Sequence, residues 1–394
     1  MFRFLTAGES HGPGLSVLLD GIPAGLDISE DTIKVDLQRR QKGFGRGGRM
    51  KIEKDHAVIR SGIRHGVSLG SPISLWIENL DHKNWESAMS PYPVDDSVDK
   101  KEFSNTVPGH ADFAGALKYK QHDLRNVLER ASARETTARV AAGSLCKIML
   151  SRLGIDIKSH VISIGNVNAP KINNEDLHNI KWEGTEISEV RTHSKEAESM
   201  FIEAILKSKK ERTTIGGVFQ VIAFNSPVGL GNYSQWDRKI DGKIGQAMMS
   251  INAVKGVEVG NGFENTRKPG RDVHDVIVSN QKDLRNFSHI TNHAGGIEGG
   301  VTNGEPIIVN VAIKPIATMT NPLPSVDINT GEAVEAQYNR SDICQVPPAC
   351  VIGEAMLALV LAEAVLEKFG GDHIDELLAN FNNYQKTHKE FGKR

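Results

Sequence analysis

Two histidines stand on glycine-bounded polar turns, His11 in Gly8-Glu-Ser-His-Gly12 and His110 in Pro108-Gly-His-Ala-Asp112. A histidine in such a turn faces a cleft more readily than a core, where it can serve as a proton donor. Ser10 is not read as a nucleophile for His11, because adjacent residues seldom face each other productively. His110-x-Asp112 has metal-like spacing, but no third ligand follows at a credible distance, so no metal is expected. Between Arg39 and His65 nine Lys/Arg stand against two acids, Glu53 and Asp55, in a chain whose net charge is −2. The middle of that run, Gly43-Phe-Gly-Arg-Gly-Gly-Arg49, sets Arg46 and Arg49 on tightly turned backbone. A charge run is usually solvated surface; the bias toward arginine, whose planar fork grips phosphate and carboxylate at two points, favours a polyanion site. A second basic stretch, Arg130-Ala-Ser132-Ala-Arg134-Glu135, opens a helix. Ser132 and Glu135 have capping-box spacing, and the two arginines flank free N–H groups at a positive helix end, a ready anion site. Asp342, in Arg340-Ser-Asp-Ile-Cys344, is one more acid beside a base in a loop. Cys146, Cys344 and Cys350 form no C-x-x-C and read as inert.

The elements that must position these residues are of mixed type. Strand patterns cover Leu15–Leu19, Val58–Gly62, Val218–Phe224 and Ile307–Ile313, the last alternating Ile307, Val309, Val311 and Ile313 on one face. Helical patterns cover Asp31–Gln41, Ala133–Leu153, Ala197–Lys209, Ile240–Ile251 and Pro348–Phe369, whereas Asn173–Lys195 reads as an irregular excursion. The 38 glycines cluster at 8–14, 43–48, 256–262 and 295–304, with no P-loop and no dinucleotide-binding fingerprint. A faint echo joins Val17…Pro23-Ala-Gly25-Leu26 to Val221…Pro227-Val-Gly229-Leu230. Each is followed by an i,i+4 apolar pair, Ile33/Leu37 and Ile240/Ile244. The reading is an α+β fold in one domain, 1–394, with pseudo-symmetric halves near 1–150 and 215–370.

Composition narrows the class. Apolar residues are 39%, charged 24% and aromatic 6%, so a core is attainable and a platform for stacked bases is not. Three cysteines in a long chain point to reduced thiols and the cytoplasm, and no apolar signal segment is read at the N-terminus. Ala349–Leu366 is nearly continuous apolar sequence, yet Glu354 and Glu363 interrupt it, so a buried helix is expected and a membrane span is not.

These segments together resemble the chorismate synthase family over nearly the whole chain. The motifs are Gly8–Gly12, Arg39-Arg40 with Gly43–Arg49, Pro108–Asp112, Arg130–Glu135, Ser250–Glu258, Asn292–Gly300, Lys314-Pro315, Arg340–Asp342 and the Glu354 helix. The Arg39–Arg49 run is similar to that of Gram-positive bacterial members. The resemblance implies a β-α-β sandwich and a homotetramer, with 1,4-anti elimination of phosphate from 5-enolpyruvylshikimate 3-phosphate using reduced FMN. It implies His11 as the acid near the phosphate or substrate, His110 as the residue that protonates or stabilises the reduced flavin, and Asp342, with Ser132, assisting the proton that leaves C6. Arg40, Arg46, Arg49 and Arg134 would bind substrate. Arg130, Ala131, Ser132, Asn252, Ala253, Gly299, Lys314, Pro315, Ile316, Ala317, Thr318 and Arg340 would contact FMN. Position 316 is Ile where many members carry Thr, so one hydroxyl contact is lost. NADPH would act only indirectly, through an external flavin reductase, since nothing here looks like an added reductase domain. Gly43–Arg49 is expected to be mobile before ligands bind. Rival readings are a nucleic-acid module using Arg39–Arg64, which needs steep salt dependence, an NADPH-consuming flavin reductase, and a relative that has lost activity.

Overall fold

The computed structural model describes residues 1–47, 54–280, 282–283, 285–338, 342–388 and 390–391. Four strands, β1 (Arg3–Ala7), β2 (Gly14–Asp20), β3 (Ala57–Ser61) and β4 (Ile73–Glu78), form an antiparallel sheet in the order β1-β2-β4-β3. Alternation drives it: Leu15, Val17, Leu19, Ile73, Leu75 and Ile77 turn inward and are almost fully buried. The second sheet contains β5 (Asp156–Ile164), β6 (Gly217–Phe224), β7 (Val254–Val259) and β8 (Ile307–Ile313), in the order β7-β8-β6-β5. Val167–Asn168 extends its β5 edge.

Helices fill the space between. α1 (Glu30–Gln41) and α4 (Thr136–Arg152) cover the first sheet, while α6 (Ile240–Met249) and α7 (Val346–Phe369) cover the second. α2 (Asp112–Tyr119) and α3 (Arg125–Ala131) lie on the excursion between β4 and α4. α5 (Lys195–Lys210) packs beside β5, and α8 (Ile374–His388) closes the chain against α7. α4 and α7 cross so closely at Gly143 that a Cβ there would overlap Ala355. The result is a sheet–helix–sheet sandwich. α7 is long and apolar enough to cross a membrane, but it is the core helix: 89% of its most apolar window is buried.

The two sheets share one strand order, β1-β2-β4-β3 matching β5-β6-β8-β7. The sequence echo falls on matching turns. In the first, Leu26 N donates to Ser68 Oγ at 2.9 Å and Ser68 Oγ donates to Pro23 O at 2.6 Å. In the second, Leu230 N donates to Thr302 Oγ1 at 2.9 Å and Thr302 Oγ1 donates to Pro227 O at 2.6 Å. The matching elements start at β5, ahead of residue 215, because the edge strand Asp156–Ile164 belongs to the second sheet.

The expected strands and helices are present within a few residues. The capping box is not. Ser132 Oγ accepts from Arg134 N at 3.3 Å and caps a short 3-10 turn, Ala133–Glu135, so α4 begins only at Thr136. Glu135 bonds Thr6 and Arg139 instead. Asn173–Lys195 holds a 3-10 turn, Asn174–Asn179, and a short helix, Trp182–Ile187.

The Glu354 carboxylate on α7 is fully buried and accepts from Arg39 Nη1 and Nη2 (2.7 and 2.8 Å), Lys147 Nζ (2.5 Å) and Ser159 Oγ (2.6 Å). Burial alone would raise its carboxyl; Arg39, Lys147 and Arg191 hold it well below the usual carboxylate range. Removing one member of such a buried network leaves the others uncompensated, so Glu354→Gln should cost about 3–5 kcal/mol in urea unfolding. Because folding lowers this carboxyl from its ordinary 4.5, its stabilisation is present above that pH and is lost as acid protonates the folded group. The variant should therefore lose the acid-side fall that the wild type owes to this group. Stability within about 1 kcal/mol of wild type would show the network to be dispensable.

Candidate active site

The site begins at the turn between β1 and β2. Gly8 (φ +105°) allows this turn, since a Cβ there would strike Gly14 O. Asn79, just past β4, donates from Nδ2 to Glu9 O (3.0 Å) and Gly12 O (2.8 Å), so Ser10-His11 is clamped between them. His11 Nδ1 meets Glu129 at 2.9 Å, and its ring lies 4.0 Å from that of Trp85.

Three of the expected arginines converge beside this turn. Arg134 Nε donates to Asn79 Oδ1 at 2.9 Å, and its Nη1 donates to Asp55. Arg40 Nη1 reaches the other Asp55 oxygen at 3.4 Å, Nε bonds Thr136 Oγ1 at 3.1 Å, and Nη2 bonds Ala133 O at 3.0 Å. Burial, together with the Arg46 and Arg134 charges and against the pull of Asp55, pushes Arg40 down to about 10. It stays charged at neutral pH. Arg46 Nη1 pairs with Asp342 Oδ2 at 2.9 Å, and Gly47 N donates to Asp342 Oδ1 at 2.6 Å. Two carboxylates thus hold three crowded cations in place. A dianion entering here meets donors already oriented and largely desolvated.

Arg39 departs from the expected cation cluster. It faces away from Arg40 and is consumed by Glu354, Glu186 and Asp36, because successive helical residues point about 100° apart. Arg49 and Arg340 lie outside the described residues. The start of the loop expected to be mobile is tied down: Phe44 N donates to Glu189 O and Ile343 N to Gly45 O, each at 2.8 Å.

A line of contacts leads from the arginines to the second histidine. Ser132 Oγ donates to Ser10 Oγ at 3.2 Å. Asn252 Nδ2 donates to Ala131 O at 3.0 Å. Lys314 N donates to Ala253 O at 2.9 Å, and Lys314 Nζ donates to Gly109 O, next to His110. Ile316 O accepts from Thr214 Oγ1 at 2.6 Å, which pins the middle of Lys314–Thr318. Arg130 holds Thr6 and Gly8 through its guanidinium. Beside it opens a pocket of about 400 Å³ lined by Phe4, Thr6, Arg130, Arg139, Ser250 and Asn252.

Two features here call for a ligand. Among the described residues, His110 Nδ1 and Asn252 Oδ1 are buried with no hydrogen-bond partner, a condition native proteins seldom leave uncompensated. Ala253 sits at φ +66°, a left-handed conformation that a residue with a Cβ adopts only at a cost. Burial, helped by the Lys314 charge and opposed by Asp112, lowers His110 from its ordinary value. The ring is therefore neutral at pH 7. An unsatisfied amide oxygen, a neutral imidazole and the Lys314 amine brought into one neighbourhood suit a flat polar ring that carries negative charge.

Gly299 is not brought to this place. Its carbonyl accepts from Lys239 Nζ (3.1 Å) at the start of α6, whereas Asn252 follows the end of that helix. Ten helical residues separate those ends by about 15 Å. Sequence reasoning did not assign Asn79, Glu129 or Trp85 any role, and it met Asp55 only as an acid in a basic run. No motif spacing marks them; each reaches the site through a contact distant in sequence.

The chorismate synthase family profile matches residues 2–366. The chain is 50% identical over 392 residues to the chorismate synthase of Bacillus licheniformis, covering 99% of this chain and 100% of that one. It is 52% identical over 396 residues to that of Aquifex aeolicus, covering 99% and 98%. A crystal structure of chorismate synthase superposes with a TM-score of 0.80 at 43% identity, covering 99% of both chains.

Away from the site, all three thiols are buried. Burial pushes Cys344 and Cys350 up to about 12 and Cys146 higher still. Thiolate is the reactive form. Native protein at pH 8 should therefore resist iodoacetamide, and urea-unfolded protein should be alkylated at all three positions by mass spectrometry. Rapid native labelling of any one would contradict this packing.

Proposed function

The chain belongs to the chorismate synthase family, and from that premise we propose that the site just described is where it turns 5-enolpyruvylshikimate 3-phosphate into chorismate. The family's reaction is a 1,4-anti elimination: the C–O bond to phosphate breaks, a proton leaves C6, and a diene forms without net redox change. It is the last common step of the shikimate pathway. The observation that carries the assignment to this site is the single line of contacts joining the Arg40–Arg46–Arg134 cluster to the unpartnered atoms of His110 and Asn252.

The substrate carries a phosphate and two carboxylates, which Arg40, Arg46 and Arg134 would take over from Asp55 and Asp342. Charge on phosphate grows as the C–O bond breaks, so arginines fixed in advance stabilise the transition state more than the ground state. His11, on its clamped turn, would give a proton toward the departing phosphate. Asp342 would take part in removing the C6 proton. Ser132, bonded to Ser10 and to Arg134 N, would hold the first turn against the second.

The family generally depends on reduced FMN, and the residues here fit it. When bound, FMN supplies transient electron density to the elimination. Arg130, Ala131, Ser132, Asn252, Ala253 and Lys314 through Thr318 would hold it. His110, neutral before binding, would keep a proton beside the ring's negative charge. Gly299 could join this set only from another copy, as assembly into a homotetramer would permit. We read the chain as one domain of two pseudo-symmetric halves. We also read it as a cytoplasmic enzyme without a reductase of its own, to which NADPH contributes only through a separate flavin reductase.

The test is anaerobic phosphate release with reduced FMN, with oxidised FMN, and with NADPH plus oxidised FMN. Release with the diene absorbance of chorismate, and only under reduced flavin, is expected. Release restored by NADPH alone would demand a built-in reductase, and no release from folded, flavin-bound protein would overturn the assignment. His11→Ala and His110→Ala should each lower kcat about 10²–10⁴-fold while circular dichroism stays native. Wild-type turnover in either would remove that histidine's role.

A further inference from the structure

Glu129 lies in the last turn of α3 and has no part in the scheme above. It is 3% exposed, and its contacts are almost all with the Ser10-His11 turn. Its backbone carbonyl accepts from Ser10 N at 3.0 Å. Its carboxylate accepts from His11 N at 2.7 Å and meets His11 Nδ1 at 2.9 and 3.0 Å through its two oxygens. Arg125 Nη1 adds a fourth donor at 3.2 Å. Burial would raise this carboxyl, but the hydrogen bonds from His11 and the charge of Arg125 carry it below its ordinary value.

An ionised carboxylate only accepts hydrogen bonds. His11 Nδ1 must therefore carry the proton that points at Glu129, which leaves Nε2 as the nitrogen able to exchange a proton with a ligand. The ring plane is fixed too. Trp85 lies 4.0 Å from the imidazole at a 34° tilt and is itself held by Lys101 Nζ at 3.8 Å and the Arg125 guanidinium at 4.9 Å. Arg125 thus grips both supports of the histidine, and its Nε is anchored on Lys101 O at 2.5 Å.

We propose that Glu129 is the positioning residue of His11: it sets the imidazole tautomer and, with Trp85, aims Nε2 at the departing phosphate. This rests on the assignment of His11 to the reaction. Among the described residues, the charged and titratable groups around His11 include Glu129 and Arg125 from α3, His82 and, across Trp85, Lys101 from the segment after β4, and Glu9 in its own turn.

The experiment compares wild type, Glu129→Gln, Glu129→Asp, His11→Ala and the His11→Ala/Glu129→Gln double variant. All are assayed anaerobically with reduced FMN across pH, and the histidine tautomer is read by 15N NMR. Wild-type His11 should show one tautomer with the proton on Nδ1. Glu129→Gln should lose about 10–100-fold in kcat, less than a whole general acid contributes, with KM and FMN affinity within about twofold and a displaced limb in the pH profile. Glu129→Asp should recover part of the loss. In the His11→Ala background the Gln replacement should cost nothing further, because it acts only through His11. An equal loss in both backgrounds, or an unchanged pH profile, would reduce Glu129 to a structural clamp and overturn the proposal while leaving His11 in place. Wild-type turnover by His11→Ala would remove the underlying assignment instead. Should Glu129→Gln fail to fold, the wild-type tautomer still decides: a neutral imidazole protonated on Nε2 alone contradicts the lock.

Discussion

A single buried carboxylate, Glu354, sets the frame on which the site depends. It draws Arg39 from α1, Lys147 from α4 and Ser159 from β5 onto the central helix α7. Charges buried this deeply are tolerated only when every partner is present, so the four elements have little freedom to slide. The consequence reaches the chemistry through helical geometry. With Arg39 locked inward, the next residue must point elsewhere, and Arg40 arrives at Asp55, Thr136 and the carbonyl of Ala133. The glycine-rich segment that follows is thereby launched toward Asp342, where Arg46 and Gly47 dock. An arginine pair that reads as one charge patch is split between two partners, Arg39 on Glu354 and Arg40 on Asp55.

Matching elements of the two sheets present different chemistry at matching places. Asp55 stands just before β3, and Asn252-Ala253 just before β7. Asn79 follows β4, and Lys314 follows β8. The first set braces cations and the His11 turn; the second brings together an orphan amide, a strained backbone and an amine. The approach to α4 supplies Ser132 and Arg134, and that to α7 supplies Asp342. Residues from both sheets are brought together here, and the close crossing of α4 and α7 at Gly143 keeps the two sheets in register.

Much of this was legible in the residues and some was not, for physical reasons. Ile307–Ile313 announces itself by strict alternation, and α7 by its Pro entry and Gly exit. Two matched turns betray themselves through Pro, Gly and Leu because those residues satisfy local backbone demands. β1 escaped notice because an edge strand buries little; its five residues are only exposed and half-buried in turn. The Ser132–Glu135 capping box failed because Thr6 from β1 and Arg139 from the first turn of α4 took the Glu135 carboxylate. Arg39 was grouped with the phosphate cations because composition counts charge without direction. Glu129, Asn79 and Asp55 are partners of residues far away in sequence, and no local pattern could have reported them. Gly299 carries the glycine motif but lies at the far end of α6.

The central claim is that one ligand-binding place spans the line from His11 and Arg134 to Asn252, Lys314 and His110. The most direct test is an anaerobic crystal structure with FMN and 5-enolpyruvylshikimate 3-phosphate. Phosphate density is expected between Arg40, Arg46 and Arg134 within hydrogen-bonding reach of His11 Nε2. The flavin ring is expected to satisfy Asn252 Oδ1 and His110 Nδ1. Flavin bound elsewhere, or phosphate held away from the arginines that Asp55 and Asp342 now neutralise, would contradict the claim.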